Sequence, residues 1–324
     1  MKALLRSLAC ICALFFLGST HFVSAQSYPD KSIRLMVGYA PGGLTDGVAR
    51  TLSPQLSEIL SKQVVVENRG GGGSSIATDV VAKAQPDGYT LLMADQALIS
   101  NPSLFPALPY DTFKDLQPVA LVGTAASVIV VNSSVPVRDL KALIALAKSK
   151  PGTLNYASGG NGTMTHLAGE LFKQVARVDI VHIPYKGTGP AVVDLLGGQV
   201  PMMFSSIGPV AQYIKSGQLI ALAVTGENRS PALPNVPTLS ELGLAQATVI
   251  GYWGVMAPAG MSNEITEKLA KAINEAVKRP DMNQRLVNLG IDPSFASGPR
   301  YEKILSTEIP KWSQVIKNAN IRID

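Results

Sequence analysis

Thiols are almost absent from this chain of 324 residues: its two cysteines, Cys10 and Cys12, both fall in the first dozen positions. If that segment is removed as a leader, what remains has no disulfide, no thiolate nucleophile and no thiolate metal ligand. Histidine is as scarce, three in all, with His166 and His182 the two beyond the leader. There is no G-x-S-x-G, no H-E-x-x-H and no nucleophile paired with a base at motif spacing, so the common hydrolase and zinc-protease patterns are missing. No basic cluster, aromatic–basic alternation or charged tail is present, so the net charge of +5 gives no footing for nucleic-acid binding. The most apolar run, Leu8 to Leu17, stops at Gly18-Ser19-Thr20-His21, short of the roughly 20 residues a membrane helix needs.

That run does fit an export signal. Met1, Lys2 and Arg6 supply the basic start, and Val23-Ser24-Ala25 places compact residues at the −3 and −1 positions of a cleavage site. Residues 1–25 are therefore expected to be a signal peptide and the mature protein to be periplasmic. Acylation at Cys10 is not expected, because Ser7-Leu8-Ala9 is a poor lipoprotein match and lies too early. Cleavage removes two of 28 basic residues against 23 acids, leaving a net charge of about +3. The remaining length of roughly 300 residues suits two domains, each able to bury its own core.

Short apolar β-rich runs, such as Ile33 to Val37, Val64 to Glu67, Tyr89 to Met93 and Leu154 to Ala157, alternate with amphipathic stretches, such as Val48 to Leu60, Leu140 to Ser149 and Thr165 to Val175. This alternation predicts doubly wound α/β structure with parallel sheets covered on both faces. Two segments, Val119 to Asn132 and Val249 to Ala257, are unusually long and β-like and read as crossovers. They divide the chain into lobe one, 27–125 plus 250–324, and lobe two, 126–249. A ligand belongs in the crevice between them, at the carboxyl ends of strands.

Four glycine-rich turns each follow a strand and precede a helix: Tyr39 to Asp46, Gly70 to Ser75, Ser158 to Thr163, and Tyr185 to Gly189. Glycine lets successive N–H groups face one concavity, and each following helix adds about half a positive charge at its first turn. One such turn is as readily just a tight turn; four, shared between both lobes, predict an anion gripped from two sides without a cation. The candidate ligand residues are Tyr39, Ala40, Gly42, Gly43, Thr45 and Asp46 on the first loop, and Ser158, Gly160, Asn161, Gly162 and Thr163 on the third. His166, at the start of the next helix, is a further candidate, as are Tyr185, Lys186 and Gly187 and the strand-end hydroxyls of Ser205 and Ser206. Asp46 could orient the loop by accepting N–H bonds but reads chiefly as a helix cap, His182 reads as a core histidine, and Lys186 equally as surface or site. Thr225 offers another neutral donor, and one of Tyr252 and Trp253 is expected to line the cleft. His166 and Glu170 share a helix face but lack a third ligand, so neither a metal nor a cofactor is expected. Nucleotide readings fail on spacing, since neither a P-loop nor a G-x-G-x-x-G fingerprint is present.

Ordered blocks along the chain carry a family resemblance: Ala40-Pro41-Gly42-Gly43 with Thr45-Asp46, Val66-Glu67-Asn68-Arg69, Pro86-Asp87-Gly88-Tyr89, Leu108-Pro109-Tyr110-Asp111, Leu154 to Ser158, His166 to Glu170, Pro184 to Gly187, Leu196 to Val200, and Ala257 to Gly260. On these the chain resembles the periplasmic binding components of tripartite tricarboxylate transporters, the group first described as Bordetella uptake proteins. The resemblance implies a two-lobed Venus-flytrap fold of type II kind. It also implies a small carboxylate held by backbone amides, hydroxyls and water from the loops at 39–46 and 158–163, and a membrane permease pair as partner. Many members carry an acid after the strand ending in Met-Phe; here Ser205-Ser206 stand there, so a non-amino carboxylate is expected. The protein is expected to be monomeric and not an enzyme. The alternatives are a binding protein that presents its ligand to a sensor ectodomain and, more distantly, an exported hydrolase.

Overall fold

The computed structural model describes residues 28–321; the expected signal peptide lies outside them. The chain builds two sheets sharing one continuous strand. In the first, β1 (Ile33–Val37) is parallel to both β2 (Val64–Asn68) and β3 (Thr90–Ala94). The run Leu35-Met36-Val37 is wholly buried because helices cover both sheet faces. Beyond β3 the sheet turns antiparallel, through β9 (Ile250–Pro258), the first half of β4 (Leu116–Asn132) and β10 (Asp292–Ser297). The second half of β4 is antiparallel to β7 (Met202–Ser206) and β8 (Leu219–Val224), while β5 (Asn155–Ser158) lies parallel to β7 and to β6 (Val181–Pro184). The sheets are therefore mixed. Parallel sheets were expected from strand–helix alternation, and the crossover strands that join them enter each sheet against its local direction.

Helices fill the connections: α1 (Leu44–Leu60), α2 (Ser75–Ala82) and α3 (Ala97–Leu104) follow β1, β2 and β3, and α4 (Leu140–Ser149), α5 (Met164–Ala176), α6 (Thr188–Leu196) and α7 (Ile207–Lys215) surround the second sheet. After β9 come α8 (Asn263–Lys278), α9 (Pro280–Leu289) and α10 (Gly298–Asn318). Helix α10 packs Tyr301, Leu305 and Trp312 into the core and reaches α5, where Gln174 Nε2 donates to the Val315 carbonyl at 3.4 Å.

Where the chain crosses between sheets, Thr225 ties the strands together. Its N–H donates to the Ser127 carbonyl at 2.8 Å, and the Val249 N–H donates to its carbonyl at 2.9 Å. Its Oγ1 accepts from the Ser127 N–H at 2.9 Å and donates to the Val249 carbonyl at 2.8 Å. Thr225 is fully buried and its hydroxyl is committed, so it fastens the crossing strands and is not the free ligand donor expected from its place at a strand end.

Candidate functional site

A cleft of about 440 Å³ opens where the carboxyl ends of strands from both sheets face each other. Of the residues selected from sequence, Tyr39, Gly43, Thr45, Asn161, Gly162, Thr163, Gly187 and Ser206 line it. Five helices begin there: the caps Gly43, Gln96, Thr163, Gly187 and Ser206 precede α1, α3, α5, α6 and α7 in turn. Gly43, Gly187 and Ser206 make no side-chain cap bond, so the first N–H groups of those helices have no partner within their own turn. The lining has no Lys, Arg or His, and Asp95 is its one carboxyl group.

The two principal loops are braced from behind by residues that do not line the cleft. Asp46 is buried on α1, where Oδ2 accepts from the Gly42 N–H and from Arg50 Nε, both at 2.9 Å, and Oδ1 accepts from Asn68 Nδ2 at 2.8 Å. Burial pushes this carboxyl up, but Arg50, the Gly42 N–H and Asn68 together outweigh it and hold it below the usual range. Asp46 thus reaches back from the first turn to fix the loop; the cap itself is Gly43, contrary to the capping role expected for the acid. Gly42 adopts φ +91°, a left-handed conformation that L side chains resist. With Ala40, it shapes the turn outside the lining.

On the second lobe, Ser158 is fully buried, bonding His182 Nε2 at 2.6 Å and accepting from the Gly160 N–H at 3.1 Å. The His166 Nδ1 accepts the Gly162 N–H at 3.1 Å, and its ring stacks on His182 with centroids 3.9 Å apart. Burial pushes His166 down to about 4 despite the nearby Glu170, and burial with the neighbouring His166 pushes His182 down to about 3. Both rings are therefore neutral near pH 7. His166 faces away from the cleft because its acceptor nitrogen closes the loop beneath it. Glu170 accepts from Tyr156 Oη at 2.7 Å and Lys173 Nζ at 2.9 Å. Among the described residues no group of three His, Cys, Asp or Glu is placed to hold a metal.

Four more candidates lie off the lining. Tyr185 donates from Oη to Asp194 at 2.7 Å, on the α6 side. Ser205 is buried and donates to the Ser206 carbonyl at 2.8 Å; strand alternation sends its neighbour Ser206 to the cleft instead. Lys186 is exposed. Gly160, at φ +126°, supports the loop from outside: a Cβ there would meet the Tyr185 carbonyl oxygen at 2.8 Å.

The loop after β3 and the helix it opens were not selected from sequence, yet they supply Asp95 and Gln96, and Ala97, Ser100 and Asn101. Asp95 accepts from Tyr39 Oη at 3.2 Å, Thr45 Oγ1 at 2.7 Å and the Ala97 N–H at 3.0 Å. Burial pushes its carboxyl up and these three donors oppose that. Thr45 Oγ1 in turn accepts from Trp253 Nε1 at 3.1 Å, so one hydroxyl links β9, α1 and the β3 loop. Trp253 is thus the cleft-lining member of its pair, while Tyr252 faces a separate groove. Gln96 is only 5% exposed, and neither its Nε2 nor its Oε1 has a partner among the described residues. The signal that would have found this loop is its place at a strand's carboxyl end before a helix.

The chain is similar to known proteins along nearly its whole length. Residues 48–321 match the model of the tripartite tricarboxylate transporter family receptor. Protein BugT of Bordetella pertussis is 39% identical over 303 residues, covering 93% of each chain. The structure of Rhodopseudomonas palustris Rpa4515 with adipate superposes with a TM-score of 0.81 at 30% identity, covering 91% of this chain and all of that one. MatC of the same organism, with bound malate, gives 0.74 at 31% identity over 89% of this chain and all of its own. The two-lobed periplasmic-binding fold, the cleft lined by helix starts and this run of matches lead to one assignment: the chain belongs to the tripartite tricarboxylate transporter receptor family.

Proposed function

We propose that this protein, once exported to the periplasm, captures a small organic carboxylate between its lobes and delivers it as a monomer to the permease pair of a tripartite transporter. One observation carries the reading: five helices start at a cleft that has no cationic side chain. Each start contributes about half a positive charge, and those at Gly43, Gly187 and Ser206 add N–H donors with no side-chain cap, which suits a carboxylate better than a cation or a neutral solute. Lobe one, 27–125 plus 250–324, offers the turn at Gly43 to Thr45, and lobe two, 126–249, the turn at Asn161 to Thr165. A carboxylate bridging the two turns favours the closed form. Adipate and malate, bound to the two solved relatives, are of this chemical class. Asp95 is taken up by three internal donors, so a ligand ammonium finds no uncommitted acid, in keeping with a non-amino acid substrate.

The test is a thermal-shift screen of the mature protein against mono-, di- and tricarboxylates, amino acids and neutral solutes. A ligand at 100 times its Kd stabilises by about 2.7 kcal/mol. Stabilisation confined to organic acids is the expected result; stabilisation only by cations or neutral solutes would overturn the reading. Uptake of the identified acid should then depend on this gene in intact cells.

A further inference from the structure

Gln96 borders the cleft, and both polar atoms of its side chain are buried and without a partner among the described residues. Elsewhere in the lining, Thr45 and Asp95 bond each other, Ser100 donates to the Gln96 carbonyl at 3.2 Å, Asn101 Nδ2 donates to the Gly73 carbonyl at 2.8 Å, and Thr165 Oγ1 accepts the Gly159 N–H at 3.0 Å. The Gln96 amide has no such outlet, although it is as buried as they are. Buried amide groups in native proteins are nearly always paired, so an unpaired one calls for a partner that the chain itself does not supply.

We infer that Gln96 reads a hydroxyl group on the carboxylate ligand, so that the preferred substrates are hydroxy acids; this rests on the carboxylate reading above. The amide NH₂ only donates and the amide oxygen only accepts. A hydroxyl does both, so it can satisfy both halves of the amide. A second carboxylate only accepts, leaving Oε1 unmet, and it would also be seated beside Asp95 with no cation in the lining to balance the pair. An ammonium only donates, leaving Nε2 unmet. Leu44, Ala97, Leu104 and Trp253, in the same wall, suit the carbon skeleton between the two polar ends.

The probes are two matched series, hexanoate, 6-hydroxyhexanoate and adipate, and benzoate, 4-hydroxybenzoate and terephthalate, titrated calorimetrically into the mature protein. In whichever skeleton binds, the hydroxy acid should bind at least about tenfold more tightly than both the parent acid and the dicarboxylate, a difference of roughly 1.4 kcal/mol. In Gln96→Leu, and in Gln96→Met as the second variant, the hydroxy-to-parent ratio should fall to within about twofold. The ligand-free melting midpoint of these variants should not drop, since no bond within the chain is lost. Equal binding of hydroxy and parent acids by the unaltered protein, a ratio that survives in the variants, or a lowered ligand-free midpoint would each overturn this inference while leaving the carboxylate reading standing. Failure of every acid in a screen where cations or neutral solutes bind would overturn both.

Discussion

Replacing Thr45 with valine tests whether the cleft wall is organised by one hydroxyl. Valine keeps the shape but removes an oxygen that donates to Asp95 at 2.7 Å and accepts from Trp253 at 3.1 Å. Thr45 is 5% exposed, so water cannot easily replace it. A hydrogen bond to a carboxyl contributes roughly 1.5–3 kcal/mol and a neutral one roughly 1 kcal/mol, so Thr45→Val should lose about 2–4 kcal/mol. The assay is equilibrium unfolding in urea, with the buried Trp312 retained as the fluorescent probe. Trp253→Phe removes the other end of the Trp–Thr bond, so its cost should be about 1 kcal/mol smaller in the Thr45→Val background than in the unaltered protein. A loss below about 0.5 kcal/mol for Thr45→Val, or additivity within about 0.3 kcal/mol, would refute the bridge.

Gly43, at φ −78° on the cleft face with room for a Cβ, should lose far more affinity than stability when changed to valine; equal losses, measured by calorimetry and urea unfolding, would count against a close backbone approach to the ligand. Because the two histidines are held near 4 and 3 in the folded state, against about 6.5 unfolded, the unfolded chain binds protons that the native one refuses. Their contribution to stability is therefore intact above about pH 6.5 and is lost as pH falls toward 4 and then 3. The melting midpoint of His182→Phe should show a shallower decline between pH 6 and 4 than that of the unaltered protein. Trp253 lies in the cleft and Trp312 in the core, so ligand addition should change the intrinsic fluorescence of the unaltered protein and leave that of Trp253→Phe nearly constant. Thr225→Val should destabilise by about 2–4 kcal/mol, as two buried backbone groups lose their side-chain partner.

Elements with strong periodicity were legible in the sequence. Leu140–Ser149 was located to the residue, and β1 likewise, because a cap at Asp139 and a fully buried apolar run mark their ends. Helices α3 and α10 were not, for opposite reasons: α3 is short, apolar on most sides and carries Pro102, while α10 has Pro299 at its start and Pro310 inside. Missing α3 concealed Asp95 and Gln96. The glycine turns were found because their geometry is local. Which polar side chain faces the cleft was not, because that depends on partners distant in sequence: His166 is turned by Gly162, Ser158 by His182, and Ser205 by the pleat of β7. A loop motif records where a backbone bends, and the direction of each side chain is settled by its packing.

The Thr225 fastening has a mechanical consequence. Because one residue holds Ser127 and Val249 at once, the two crossing strands are pinned side by side, and sliding one past the other would cost those four bonds. If the lobes close on a ligand as proposed, rotation about this point is the motion that keeps all four bonds. Under the proposed function, the angle of that rotation would be what separates a loaded receptor from an empty one.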